Sequence, residues 1–319
     1  MGRGRTRQGL HRSLIAAKGG RASASRLTRL AENERFLAAA LLTPGVVILA
    51  LFIAYPFVMA LWFSLTSIRV GDEGQFVGLA NFAKAIDDTI FQQAFKNTVF
   101  YTFWATIFKL ALGMWLALLL NRHFRFKRVV RATMLLPFII PTVLSAFAWR
   151  WMFDPTFSVM NWALYHGGMI TDRLPFLSSG DWAMWCAVAV NTWRGMPFFA
   201  ITLLAGLQTI NPDLHEAAAL DGANAWNRFW HVTWPLLLPV TLVVVVFSVI
   251  QTFSDFQLIY VLTGGGPANS THLIATYAYQ IGVGSGLLGE GAALSLFMFP
   301  VLFLVVWLQL RYLKRMENA

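Results

Sequence analysis

Residues 216–239 read EAAALDGANAWNRFWHVTWPLLLP, a polar and structured interruption between long apolar segments. Just upstream, Asn211 and Pro212 form a typical N-cap and first helical residue. Gly222 can adopt the positive φ that ends a helix. The pattern predicts a helix, a sharp turn at Gly222 and a second short helix over residues 225–234.

The first of these two helices has little side-chain bulk on one side, because Ala217, Ala218 and Ala219 follow one another. Another protein can therefore approach its backbone closely. Pro235 suits the start of the next segment, since its missing N–H falls where no intrahelical partner exists. We interpret residues 211–234 as a docking loop for a partner protein.

The composition is that of a membrane protein. Of the 319 residues, 57% are hydrophobic and 13% are charged, whereas charged residues make up about a quarter of a soluble domain. Cys186 is the single cysteine, which excludes an internal disulfide and a cysteine-based metal site. The net charge of +10 is therefore interpreted through its distribution among loops, not as a nucleic-acid signal.

Six apolar segments are each long enough to cross a bilayer, which takes about 20 residues. They lie near residues 36–65, 98–120, 132–152, 182–207, 235–262 and 291–310. The predicted fold is all-α, a polytopic membrane protein with six transmembrane helices. Its predicted parts are a basic tail (1–35), the transmembrane domain (36–310) and a short C-terminal tail (311–319).

The basic residues predict the orientation of the chain. With a cytoplasmic N-terminus, eighteen Lys and Arg lie on the inner side of the membrane and four on the outer side. Because positive residues concentrate in cytoplasmic loops, both termini are predicted to be cytoplasmic. The same orientation places residues 211–234 inside, where ATP is. Residues 1–35 lack the apolar core of a signal peptide and are interpreted as a cytoplasmic tail, with a transit peptide as the alternative.

Proline and glycine interrupt several predicted spans, notably at Pro137 and Pro141 in the third and at Gly195 and Pro197 in the fourth. Broken backbone at membrane depth is tolerated where it lines a cavity or is buried by protein. Ordinary kinks are the alternative interpretation.

Polar side chains follow one face of the fourth and fifth spans. The residues at i, i+3, i+4 and i+7 are Asn191, Arg194, Gly195 and Phe198 in the fourth span and Ser248, Gln251, Thr252 and Asp255 in the fifth. Two such faces packed together make a polar pocket in the membrane. Amide and hydroxyl groups there donate and accept hydrogen bonds, and the phenyl ring offers an apolar face, as a sugar requires.

Four charges fall inside the predicted spans, at Lys109, Arg150, Arg194 and Asp255. Arg194 and Asp255 are functional candidates by default, because intramembrane charge is costly, and they either contact a solute or pair with each other. A guanidinium at Arg194 suits a phosphate or sulfonate, which makes an acidic sugar derivative one option. Lys109, in the second span, is interpreted as pairing between helices.

The sequence contains no feature of an enzyme. No Gly-Lys-Ser or Gly-Lys-Thr follows a glycine-rich loop, so the chain is not predicted to bind ATP through a P-loop. No nucleophile and base can be paired from sequence, and the six histidines have no metal-ligand spacing. The chain is predicted to be non-catalytic and to bind no cofactor or metal.

Residues 216–235 resemble the cytoplasmic coupling loop of ATP-binding-cassette (ABC) importer permeases, with the pattern Glu-Ala-Ala, three residues, Gly, nine residues, Ile-x-Leu-Pro. The matching residues are Glu216, Ala217, Ala218, Gly222 and Pro235, with Val232 and Trp234 in place of Ile and Leu. Asp221-Gly222-Ala223, followed by LTGGGP at 262–267, is similar to the carbohydrate branch that includes the maltose and glycerol-phosphate permeases. The resemblance extends from about residue 36 to the C-terminus.

This resemblance implies a type I ABC importer permease in the bacterial inner membrane that carries a sugar or sugar derivative. The implied partners are two ATPase subunits that hold ATP and Mg, a second homologous permease in a heterodimer, and an extracytoplasmic solute-binding protein. Glu216, Ala217, Ala218, Asp221, Gly222 and Pro235 are the implied ATPase-coupling residues. The implied sugar contacts are Asn191, Gly195, Phe198, Ser248, Gln251, Thr252 and Asp255; Arg194 is added for its charge alone.

Two alternative functions remain at this point. An ion-coupled secondary sugar carrier predicts an inverted internal repeat and a coupling carboxylate such as Asp255, and no repeat is evident. A membrane scaffold that transports nothing predicts that the coupling loop is dispensable.

Overall fold

The structure, a computed structural model, describes residues 34–123 and 125–317. The described residues are mostly helical, and within them extended pairing is limited to two isolated β-bridges. The chain divides into two compact units after Met59. The predicted basic tail falls almost entirely outside the described residues.

The helices of the described residues are numbered in chain order, and three π-helical turns interrupt them. They are α1 (Glu34–Leu49), α2 (Tyr55–Ser64), α3 (Ala80–Asp87), α4 (Thr89–Asn121), α5 (Lys127–Met134), α6 (Leu136–Ile139), α7 (Thr142–Met152), α8 (Val159–His166), α9 (Gly180–Leu207), α10 (Pro212–Leu220), α11 (Ala225–Arg228), α12 (Trp234–Phe253), α13 (Gln257–Leu262), α14 (Ile274–Tyr279), α15 (Leu288–Leu296) and α16 (Met298–Glu317). The π-helical turns are Ala50–Ala54, Phe229–Thr233 and Gln280–Gly284.

Four helical stretches in the described residues are long and apolar enough to cross a membrane. They are Leu37–Ser64, Thr89–Asn121, Ala225–Phe253 and Leu288–Arg315. They correspond to the first, second, fifth and sixth predicted spans. The third is a broken pair, Lys127–Ile139 and Thr142–Met152, bent by 91°.

The fourth predicted span is α9, which has 28 residues and is long enough to cross a bilayer. It is not among the four helical stretches that are apolar enough to cross a membrane, since it carries Asp181, Asn191 and Arg194. The count of six spans therefore stays a prediction.

The break in the third span lies at Ile140 and Pro141. Ile140 has an extended backbone, with φ −64° and ψ 130°, because a proline disfavours the α conformation of the residue before it. Pro141 is extended as well, with ψ 137°. The predicted interruption is thus a sharp bend rather than a mild kink.

For the fourth span, the broken-backbone interpretation is wrong. Helix α9 runs through Gly195 and Pro197 without a break. It packs along most of α4, and α12 contacts both helices. This packing outweighs the low helix propensity of glycine and proline. Gly113 of α4 allows the close approach, because a Cβ there would collide with Phe199 of α9.

The sequence predicted that the second helix of the docking loop is separate and ends before Pro235. This prediction is wrong. Instead α11, the π-helical turn Phe229–Thr233 and α12 form one helical stretch, Ala225–Phe253, of 29 residues. Pro235 cannot donate a backbone hydrogen bond, and the turn before it is π-helical, with the Trp234 N–H donating to the Phe229 carbonyl. The fifth span also ends earlier than predicted, at Phe253.

Helix α14 and the loop before it are attached to the N-terminal part of α4. The Asn97 side-chain amide donates to the Ser270 carbonyl at 2.7 Å and to the His272 carbonyl at 3.0 Å. The Ile274 N–H donates to the Thr98 hydroxyl at 2.9 Å. The segment between the predicted fifth and sixth spans is therefore partly helical and held in place.

Replacing Asn97 with alanine should destabilise this attachment. Asn97 is buried, and the change leaves two backbone carbonyls without its amide, at a cost of about 1–3 kcal/mol for each unpaired group. The midpoint of thermal unfolding should fall, as measured on the purified protein in detergent. The matched control is Gln92→Ala, whose exposed amide donates to the Ile86 carbonyl at 2.8 Å from the same helix. Equal midpoints for both variants would contradict the prediction.

Candidate functional site

A cavity of about 520 Å³ lies between α4, α6, α7, α9 and α12. All eight residues that the sequence pattern singled out line it, namely Asn191, Arg194, Gly195, Phe198, Ser248, Gln251, Thr252 and Asp255. The periodicity brought them together because α9 and α12 pack against each other. Contact with a solute stays a prediction for each of them.

Asp255 lines this cavity, but it does not lie on the helix of the fifth span as predicted. Helix α12 ends at Phe253, so Asp255 lies beyond the helical stripe, in the link to α13. One carboxylate oxygen, Oδ1, accepts from the Leu258 N–H at 3.3 Å at the start of α13. The other, Oδ2, accepts from the Tyr101 hydroxyl at 2.8 Å and the Asn191 amide at 3.1 Å. Asp255 therefore joins α4, α9 and α13.

Lys109 is both a link between helices, as the sequence predicted, and part of the cavity wall. Its Nζ donates to Asn191 Oδ1 and to Thr252 Oγ1, each at 2.8 Å, and the side chain is 4% exposed. Gly195 makes room for it, since a Cβ at that position would collide with the Lys109 side chain. Gly195 of the predicted site therefore leaves room for the Lys109 side chain.

Arg194 does not pair with Asp255, which was one of the two interpretations of these charges. Its Nη2 donates to Thr142 Oγ1 at 2.7 Å, at the start of α7 after the break in the third span. Across the described residues the ion pair observed is Lys84–Glu290, at 2.6 Å, outside the cavity. The Arg194 Nε is buried and has no hydrogen-bond partner in this part of the chain.

Aromatic rings form an apolar part of the cavity wall. Phe198 of α9 stacks on Phe138 of α6, with ring centroids 5.6 Å apart and planes 16° apart. It also meets Phe247 of α12 at 5.2 Å. The cavity therefore combines hydrogen-bonding groups with flat apolar surface, as pockets for small polar ligands do.

Sequence reasoning missed Tyr101 and Thr142. The sequence did contain a signal for Tyr101, which precedes Lys109 by two turns of the same apolar helix. Polar groups in such helices usually pair with one another or have a function. No signal pointed to Thr142, since its role depends on where the bend at Pro141 places the start of α7.

The predicted docking loop forms a helix, a turn and the start of the long helix. Asn211 caps α10 by accepting from the Asp213 N–H at 3.1 Å. Gly222 has φ +84°, so the predicted turn is confirmed. The segment exposes apolar side chains, with Leu220 90% and Trp226 67% exposed, as a surface for a partner does.

The predicted coupling residues are distributed along this segment. Glu216, Ala217 and Ala218 lie on α10, Asp221 is its C-cap residue, and Pro235 lies in the first turn of α12. In the described residues no group of three His, Cys, Asp or Glu side chains is placed to hold a metal ion.

Residues 109–318 match the family described as "Binding-protein-dependent transport system inner membrane component". The chain belongs to this family. It is therefore a multi-pass component of the inner membrane, and the predicted ABC permease and all-α membrane fold are confirmed.

Relatives of this permease are themselves named as permease proteins. The sulfoquinovosyl glycerol transport system permease protein SmoG of Agrobacterium fabrum is 34% identical over 284 residues, covering 88% of this chain and 92% of that protein. The trehalose/maltose transport system permease protein MalF of Thermococcus litoralis is 33% identical over 291 residues, covering 90% and 98%. The expectation of a non-catalytic subunit is thereby confirmed.

A solved structure shares the fold of this permease. It is a chain of a bacterial alginate ABC transporter in complex with alginate pentasaccharide-bound periplasmic protein. The TM-score is 0.76 at 24% sequence identity, and the match covers 89% of this chain and 96% of that chain.

Proposed function

We propose that this permease translocates a sugar or sugar derivative as part of an ATP-driven importer. Several relatives are named for the transport of sulfoquinovosyl glycerol, trehalose or maltose, and sn-glycerol 3-phosphate, which supports a carbohydrate cargo. The proposed partners are two ATPase subunits that carry ATP and Mg, a second homologous permease and an extracytoplasmic binding protein. Both termini are proposed to be cytoplasmic, with six spans.

The continuous helix Ala225–Phe253 is the observation that carries this proposal. At about 1.5 Å per residue it extends roughly 40 Å. One end belongs to the exposed coupling segment, and the other end carries Ser248 and Thr252 of the cavity wall. A displacement of the coupling segment by a closing ATPase is therefore transmitted to the cavity through one continuous helical stretch.

In the proposed cycle, the cavity opens in turn to the outer and inner sides of the membrane. Glu216, Ala217, Ala218 and Asp221 form the surface that docks on the ATPase, and Gly222 sets the angle between α10 and the long helix. Asn191, Gln251 and Asp255 hold hydroxyl groups of the solute, and Phe198 covers its apolar face. The chain itself supplies no ATP chemistry.

Reconstitution in vesicles tests the proposal. The permease is purified with its ATPases and second permease, and the solute retained by its binding protein is identified by mass spectrometry. Uptake of that solute should require ATP, and it should stop when the P-loop lysine of the ATPases is replaced. Uptake that continues without ATP and follows an ion gradient would instead establish the secondary-carrier alternative.

A further inference from the structure

The charges in the cavity wall do not balance. The ionisable side chains there are Lys109, Arg194 and Asp255, two cations and one carboxylate. Charge in a low-dielectric site is stable only when it is paired and hydrogen-bonded. The partners of each group therefore indicate which charge is left for a ligand.

The carboxylate of Asp255 already uses most of its acceptor capacity inside the protein. It accepts hydrogen bonds from the Tyr101 hydroxyl, the Asn191 amide and the Leu258 N–H. Lys109 is coupled to it indirectly, because Asn191 accepts from Lys109 and donates to Asp255. These groups form one connected network of compensating charge.

Arg194 stands outside this network. Within the described residues its guanidinium makes one hydrogen bond, to the neutral hydroxyl of Thr142, and its Nε is buried without a partner. A guanidinium keeps its charge throughout the accessible pH range and has five N–H donors arranged for a planar anion. Most of this donor capacity is unused by the protein.

We propose that the solute of this cavity is an anionic sugar derivative whose acidic group is bound by Arg194. This inference rests on the proposed transport function and narrows its substrate class. Asn191, Gln251 and Thr252 then face the sugar hydroxyls, and the ring of Phe198 lies against the C–H face. A carboxylate, phosphate or sulfonate shares the same chemistry at Arg194.

Ligand binding by the purified complex tests this assignment without transport. The complete complex of permeases and ATPases is held in detergent without the binding protein, and thermal unfolding is followed with added ligand. The probes are glucose, glucuronate, glucose 6-phosphate and 6-deoxy-6-sulfoglucose, which differ in charge at one carbon. At least one anionic sugar should stabilise the complex at lower concentration than glucose does.

Arg194→Gln should weaken binding of that anionic sugar by about 10- to 100-fold, the range of a lost charge-assisted pair, and leave glucose little changed. Arg194→Lys should give an intermediate loss, since lysine keeps the charge but not the planar donors. The matched control is Arg150→Gln. Arg150 also donates one hydrogen bond, to the Val261 carbonyl at 3.2 Å, but does not line the cavity.

The possible results separate this inference from the transport proposal. Three results overturn the assignment and leave ATP-driven uptake unaffected. Glucose binds as tightly as every anionic sugar, no anionic sugar binds, or Arg150→Gln loses as much binding as Arg194→Gln. Absence of ATP-dependent uptake in vesicles counts against the transport proposal instead. Should Arg194→Gln fail to assemble, the comparison of the four sugars on the wild-type complex still decides.

Discussion

Replacing Gly222 with proline should lower uptake by roughly 100-fold or more while the complex still inserts, assembles and hydrolyses ATP. Gly222 has φ +84°, and proline fixes φ near about −65°. The change also removes the Gly222 N–H, which donates to the Ala219 carbonyl at 3.1 Å. Helix α10 then leaves the turn in another direction, so movement of an ATPase no longer reaches the long helix. ATP hydrolysis and solute uptake are measured together in vesicles.

Gly168→Pro is the matched control for this variant. Gly168 has φ +67°, and its N–H donates to the Tyr165 carbonyl at 3.1 Å. Like Gly222 it has open space around the position of a Cβ, but it lies in the loop after α8. The local strain is therefore similar and uptake should be retained.

Glu216→Lys tests the same surface without altering the backbone. Glu216 is exposed on α10, so reversal of its charge should disturb the ATPase contact and leave the fold of the chain intact. Wild-type uptake in both Gly222→Pro and Glu216→Lys would refute the coupling role of this segment.

Replacing Asp255 with alanine should be the second severe change. Tyr101 and Asn191 lose their shared acceptor, and the two cations of the cavity lose the one carboxylate near them. Removing one partner from a buried charged network costs about 3–5 kcal/mol, and uptake should fall by about 100- to 5,000-fold on that basis. Copurification of the ATPases should be unchanged, because the coupling segment is untouched.

Two further variants define what the carboxylate does. Asp255→Asn keeps one acceptor oxygen and should retain more uptake than Asp255→Ala. Asp181→Ala removes an exposed carboxylate from the first turn of α9 and should leave uptake near the wild-type level. Unchanged uptake kinetics in both Asp255→Ala and Asn191→Ala would rule out the cavity as the solute site.

Helical spacing predicted most of the residues that line the cavity on α9 and α12. The i, i+3, i+4, i+7 pattern selected four residues of α9 and three of α12 that line one cavity: Asn191, Arg194, Gly195, Phe198, Ser248, Gln251 and Thr252. Such spacing is a local property of a helix. Asp255 fitted the same pattern although α12 ends two residues before it, because a short link kept its side chain close to the extended stripe.

Breaks in the backbone were harder to predict. Pro141 bends its span by 91°, whereas Pro197 lies within an unbroken helix. Both sequences contain the same helix breaker. The difference comes from packing, since α9 lies along α4 for most of its length and helix propensity is a weak preference that tertiary contacts override.

The sequence alone determined a membrane-embedded helical permease, the position of its coupling segment and the polar faces of its fourth and fifth spans. These features depend on composition, hydropathy and helical period, which are properties of neighbouring residues. Only the tertiary structure decided that Asp255 pairs with Tyr101 and Asn191, which leaves Arg194 without a hydrogen-bonded carboxylate. Asp255 is 154 positions from Tyr101 and 64 from Asn191, and no local pattern encodes which of several distant polar groups will meet.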